Sequence, residues 1–225
     1  MARFASPQNK LFEFFSNHQP FTYKKGEIVI RVGENPSNVF FIEEGYIKVY
    51  SLTESGEENL HFIYKPFEIF PIVWMFSEKA SQVFYETMCS AKLRKASKDA
   101  FLEFSKINSD VMFSLMEYTT DILHAFFERI HNLGLTNSYP RIITRLLLLA
   151  KRLGREVNGK IVFDVPMTQK DIANSINMTR ETASKELNKL ARKRILKCSD
   201  RSSLEIYNLA KLEKQLALHY AEKSS

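Results

Sequence analysis

Arg180, Glu181, Ser184 and Lys185 are spaced so that a helix gathers them on one face, with Asn188 extending it. That mixture suits the edges of DNA bases. Arginine donates two bonds to guanine O6 and N7, glutamate accepts from the cytosine amine, and serine and lysine add further groove contacts. Ala183, Leu187 and Leu190 recur at helical spacing on the opposite side, where they can bury. A solvated amphipathic helix would share this pattern, so the elements that position the face must decide.

Thr179 stands where a hydroxyl caps such a helix, and Asn177 suits a left-handed turn just before it. Upstream, Thr168 and Asp171 form a variant capping box opening a first helix whose Ile172, Ala173 and Ile176 face inward. Residues 168–196 therefore read as helix, turn, helix. Residues 161–165 (IVFDV) read as a strand before the pair. Residues 195–197 and 204–207 read as strands after it, joined by the polar turn SDRSS into a hairpin. A helix pair followed by a hairpin is a winged helix. Thr168, Thr179 and Lys189 flank the base-reading face and are assigned to phosphates, which position a domain without selecting sequence.

The segment MTQKDIANSINMTRETASKELNKLARKRIL resembles the DNA-binding segment of the cyclic-AMP receptor protein and FNR (Crp/Fnr) family of bacterial transcription regulators. RETASK takes the place of its RETVSR-like recognition helix. PRIITRLLLLAKRLG is similar to the first helix of that family's DNA-binding domain, and KKGEIVIRVGENPSNVFFIEEGYIKVY follows its glycine-punctuated β-roll. The resemblance covers nearly the whole chain. It implies a sequence-specific regulator bound as a homodimer to a pseudo-palindromic site in double-stranded DNA, with RNA polymerase as partner if it activates. Lys185 departs from the family's arginine and lacks the planar fork for a two-pronged contact.

The family's nucleotide-binding members hold cyclic phosphate and ribose with glycines, a glutamate and an arginine followed by serine or threonine. The corresponding stretch here is KPFEIFPIVWMFSEKASQVFYETM. Phe67 and Pro71 stand at glycine positions, Ile72 at that of the glutamate, and residues 81–83 supply no arginine. Burying a phosphate without a cation costs several kcal/mol, so no response to cyclic AMP or cyclic GMP is expected. What remains is apolar. Phe70, Ile72, Trp74 and Met75, with Leu123 and Phe127 of a long helix, are candidates for an effector pocket. Its occupant would be a small apolar effector or a haem, for which His18, His61, His124 and His131 are the available imidazoles. The alternative is a filled core, making the protein an effector-independent DNA-binding dimer with a packed β-roll scaffold. Two cysteines, Cys89 and Cys198, exclude an iron–sulfur cluster, which needs four ligands.

Charge separates the two ends. Residues 137–225 carry 18 Lys plus Arg against 9 Asp plus Glu, net +9, whereas residues 1–136 carry 14 against 17, net −3. A basic C-terminal part fits phosphate neutralisation. Enzymatic function is not expected: a P-loop, a dinucleotide fingerprint, a nucleophile elbow and a clustered metal-ligand motif are all missing, and no metal is expected. Without an apolar run of membrane-spanning length or a secretory leader, the expected location is the cytoplasm and no membrane partner is expected.

Residues 109–133 have helix-length apolar periodicity ending at Gly134. Met112, Leu115, Thr119, Ile122, Phe126 and Leu133 form one stripe, assigned to a parallel dimer contact. Met116, Leu123, Phe127 and Ile130 form a second, assigned to the β-roll. The expected fold class is α+β: a cyclic-nucleotide-binding-like β-roll, or jelly-roll barrel, over residues 1–107, a dimerisation helix and hinge over 108–136, and a winged helix-turn-helix over 137–225. Effector binding would alter barrel packing on the long helix and reorient the winged helix through residues 135–140.

Overall fold

The computed structural model describes residues 7–77, 79–198 and 204–221. The chain opens with α1 (Pro7–Ser16), followed by strands β1 (Pro20–Tyr23), β2 (Ile28–Ile30), β3 (Asn38–Glu44), β4 (Ile47–Leu52), β5 (Glu58–Tyr64) and β6 (Ile69–Phe70). A one-turn α2 (Ile72–Met75) precedes β7 (Phe84–Thr87) and β8 (Ala91–Ser97). Two four-stranded antiparallel sheets result, ordered β1-β8-β3-β6 and β2-β7-β4-β5. This is the expected β-roll. Four consecutive residues of β3, Val39 to Ile42, are buried, as they must be when both faces of the strand are covered. Phe41 stacks on Phe15 of α1 at 5.3 Å. Gly45 closes the β3–β4 turn at φ 92°, and a Cβ there would meet that of Ala91 at 2.7 Å, so only glycine fits.

Helices α3 (Lys98–Ile107) and α4 (Ser109–Gly134) follow. Ser97 caps α3 by accepting from the Ala100 amide. The faces of α4 reverse the assignment made from periodicity. Leu115 and Ile122 are only 3% and 4% exposed, whereas Phe113, Met116, Leu123, Phe127 and Ile130 are 51–64% exposed. Thr119 turns its hydroxyl back onto the Leu115 carbonyl at 2.7 Å. Leu115 and Ile122 thus pack within the chain, with Met112, Phe126 and Leu133 of their stripe half-covered and Thr119 exposed, and the stripe holding Leu123 and Phe127 is the uncovered one. Spacing defines both stripes equally well and cannot say which meets which partner.

The C-terminal part comprises α5 (Ser138–Leu153), β9 (Gly154–Val157), β10 (Lys160–Phe163), α6 (Gln169–Ser175), α7 (Arg180–Arg192), β11 (Leu196–Cys198), β12 (Leu204–Ile206) and α8 (Leu209–Ala221). Its sheet runs β11-β12-β10-β9, all antiparallel. The turn SDRSS of the expected hairpin lies outside the described residues, but the pairing of Leu196 with Ile206 establishes the hairpin itself. Ile142, Ile143 and Leu146 of α5, Ile172 of α6, and Ala183, Leu187 and Leu190 of α7 are all buried.

Two compact units emerge: Met1–Ser51 with Phe62–Ala125, and Leu52–His61 with Phe126–Ser225. The division falls inside α4 and gives the β4–β5 tip to the second unit. Asn59 of the tip accepts from Arg129 near the end of α4, joining stretches distant along the chain.

Candidate nucleic-acid interface

Both helices of the pair start on caps built from local side chains. The Thr168 hydroxyl accepts from the Asp171 amide at 3.1 Å, while the Asp171 carboxylate accepts from the Thr168 amide at 2.8 Å. The Thr168 hydroxyl also donates to the same carboxylate at 2.6 Å. Asn177 sits at φ 49° in the turn, a conformation asparagine tolerates. Thr179 then caps α7 by accepting from the Thr182 amide at 3.2 Å.

With Ala183, Leu187 and Leu190 buried, α7 presents Arg180, Glu181, Lys185 and Asn188 to solvent, with Ser184 half-covered among them. The four predicted base-reading residues therefore come together on one accessible face. The predicted phosphate contacts fare differently. Thr168 commits its hydroxyl proton to Asp171, and Thr179 donates to the Thr182 hydroxyl at 2.9 Å. Thr182, which sequence reasoning passed over, is then the better hydroxyl donor at this helix start. Lys189 contacts both carboxylate oxygens of Glu186, at 2.8 and 3.0 Å.

Glu186 is the chief residue missed. It is buried, and the Ser138 hydroxyl at the start of α5 donates to it at 3.1 Å. A buried carboxylate held by a hydroxyl and an ammonium fixes the rotation of α7 about its axis. Arg145 of α5, also buried and also missed, donates to the Ser175 hydroxyl at 2.8 Å at the end of α6. The signal was a charge on the otherwise apolar face of α5. Tyr139 donates to Gln215 of α8 at 3.0 Å, so α5 is tied to α6, α7 and α8.

In the β-roll, Phe70, Ile72 and Met75 are almost completely buried. Phe70 stacks between Phe40 at 5.1 Å and Tyr85 at 5.4 Å, and Tyr64 lies 5.5 Å from it. Trp74 meets Tyr85 edge-on and donates to the Ala80 carbonyl at 3.1 Å. Burial drives the Tyr85 phenol well above its ordinary range, with Tyr64 adding to the shift. Phe70, Ile72 and Met75 thus belong to the buried core and Trp74 is half-buried against Tyr85, while Leu123 and Phe127 are exposed and do not join them as buried lining. Phe67 adopts φ 68°, a left-handed conformation normally left to glycine, and its ring is 72% exposed. Ser81 is buried and donates its hydroxyl to the Val83 carbonyl at 2.8 Å. A cyclic phosphate would meet rings and an occupied hydroxyl there, so the residues present do not fit that ligand.

The family model described as Crp-like helix-turn-helix domain matches residues 140–215, and the one described as cyclic nucleotide-binding domain matches residues 20–108. A CRP-like cAMP-activated global transcriptional regulator of Mycobacterium tuberculosis is 24% identical over 186 residues, covering 83% of each chain. Transcriptional activator protein FnrL of Cereibacter sphaeroides is 23% identical, covering 85% of this chain and 77% of its own. The structure of FixK2 from Bradyrhizobium japonicum superposes with a TM-score of 0.75 at 23% identity, covering 88% of this chain and 96% of the other. Among the described residues no helix is long and apolar enough to cross a membrane.

Proposed function

Because the chain belongs to the Crp/Fnr family of DNA-binding transcription regulators, we propose that it binds a pseudo-palindromic operator as a homodimer through α7. Arg180 donates to a guanine and Glu181 accepts from a cytosine amine, with Ser184 and Lys185 as further base contacts. The observation that carries this is the gathering of all four on one face, Ser184 half-covered and the rest exposed, behind a capped start and over a back of Ala183, Leu187, Leu190 and the bonded Glu186. Two such helices related by a two-fold axis meet successive major grooves about 34 Å apart. Thr182 and Lys189 position the domain on phosphates.

The dimer forms along the uncovered stripe of α4, Phe113, Met116, Leu123, Phe127 and Ile130, in place of the stripe expected from periodicity. An apolar row of that length left in water is the usual mark of a partner surface. RNA polymerase is the further partner if the protein activates, and the location is the cytoplasm.

The β-roll does not answer to cyclic nucleotides. Its stacked Phe40, Phe70, Tyr64 and Tyr85 support the second reading, a packed scaffold, over an apolar effector or haem at the same place. The experiment is site selection from a random duplex pool followed by fluorescence anisotropy at fixed salt, with and without cyclic AMP. A selected site should bind at least about 1,000-fold tighter than a scrambled one, unchanged by the nucleotide. Equal affinity for both duplexes would sink the base-reading assignment, and a nucleotide-dependent change the scaffold.

A further inference from the structure

Arg129 and Arg145 lie eight residues before and eight after Asn137, where the end of α4 turns into α5. The flanking Glu128 and Lys151 side chains approach to 3.9 Å between the two helices. Both arginines are buried, at 8% and 9% exposure, and neither has a carboxylate partner among the described residues. The Arg129 guanidinium donates only to the Asn59 side-chain carbonyl at the β4–β5 tip, leaving its Nε without a partner. One turn along α4, Asn132 is 1% exposed, and neither its amide nitrogen nor its oxygen has a partner. Burial and the neighbouring Arg129 and Arg152 pull the Arg145 pKa down to about 10, and burial with Arg129 holds His61 neutral, its pKa near 4.

A buried charge left unpaired costs several kcal/mol, as does a buried amide with both ends unsatisfied. Two like charges set against each other add to that. An anion between them removes all three penalties. We infer that Arg129, Arg145 and Asn132 form a binding site for a small phosphate-type oxyanion, distinct from the β-roll interior. Guanidinium forks match phosphate oxygens, and the Asn132 amide donates to another. Its carbonyl accepts from a protonated phosphate oxygen, a donor that an ionised carboxylate lacks. Since Arg145 also holds Ser175, the bound anion locks the ends of α4, α5 and α6 together and strengthens operator binding. That coupling rests on the DNA reading above, whereas anion binding does not.

The test is thermal unfolding of the full chain in 10 mM sodium phosphate, sodium succinate or ionic-strength-matched sodium chloride, as order-of-magnitude conditions. Phosphate should raise the midpoint by about 3 °C or more over chloride, and succinate by less. Arg145→Met should unfold in chloride at or above the wild-type midpoint, having lost a buried repulsion, and should lose the phosphate response. Arg129→Gln should behave alike, giving a second reading if the first variant does not fold. Lys151→Ala, on the exposed flank, should keep the response. The site is wrong if phosphate and chloride give the same midpoint, if succinate stabilises more than phosphate, or if both arginine variants keep the response. It is equally wrong if only protein concentration moves the midpoint, since a carboxylate of a second copy would then fill the place. These measurements contain no DNA, so they fail independently of the operator experiment.

Discussion

The recognition helix and the β-roll cassette treat their side chains in opposite ways. On α7, Arg180, Glu181 and Lys185 are held out in solvent, and the polar groups beneath them, Thr179 and Glu186, are bonded to fix the helix. In the cassette, Phe70, Ile72 and Met75 are buried, and phenylalanine is even forced into a left-handed turn at Phe67. A surface that reads a ligand keeps polar groups accessible, while a surface that only packs removes them. By that measure the face of α7 suits reading a ligand, and the rings around Phe70 suit packing.

The largest effect should test the packed side. Phe70→Ala removes a ring stacked on two others in a fully buried place, and should cost about 3–5 kcal/mol in chemical denaturation. Arg180→Ala should barely move the same transition. If Phe70→Ala costs under about 1 kcal/mol, the barrel is not close-packed, and the contrast fails.

Next in size is the exposed stripe of α4. Replacing both Leu123 and Phe127 with Asp should yield monomers in sedimentation velocity. It should weaken operator binding by about 100-fold, since one half-site must then bind alone. Leu115→Ala should instead destabilise the fold and leave the dimer. The opposite outcome would restore the face first read from periodicity.

That reversal shows what was legible and what was not. Capping residues, the turn asparagine and the inward residues of α6 and α7 are local signals, and residues 168–196 folded as read. The identity of apolar positions on α4 was also readable, but their partners were not, since burial depends on chain distant in sequence. Glu186 and Arg145 looked like ordinary helical charges because their partners, Ser138 and Ser175, lie 48 and 30 residues away. The strand β9, reading GREV, is too short and polar to announce itself before its pairing with β10 is known. Helix α1 was missed as well, its aromatic face completed by Phe41, Phe101 and Phe104, all distant in sequence.

Arg180→Ala comes third. It should lower discrimination between the selected site and a scrambled one by about 1–3 kcal/mol, leaving non-specific affinity and its salt dependence almost unchanged. Lys189→Ala should change the salt slope by less than one phosphate contact's worth, since Glu186 already engages its charge. Equal losses on both duplexes after Arg180→Ala would move that residue from bases to phosphates.

The smallest effect concerns His61, beside Arg129 in the unit that carries α7. Burial first, and Arg129 second, depress its folded pKa to about 4 from an ordinary value of 6.5. The unfolded chain therefore binds a proton that the folded chain refuses between those values. Stability must fall as pH drops from about 6.5 towards 4, and the contribution is flat above that window. Partial exposure screens the interaction, so the loss should be no more than about 1 kcal/mol. His61→Gln should flatten that portion of the pH profile when compared with wild type by urea unfolding. Bound phosphate should shrink the wild-type slope too, because neutralising Arg129 removes part of what keeps the imidazole uncharged. A slope unaffected by both changes would mean that the field at His61 does not come from the arginine pair, and that the charge imbalance assigned to the second unit lies elsewhere.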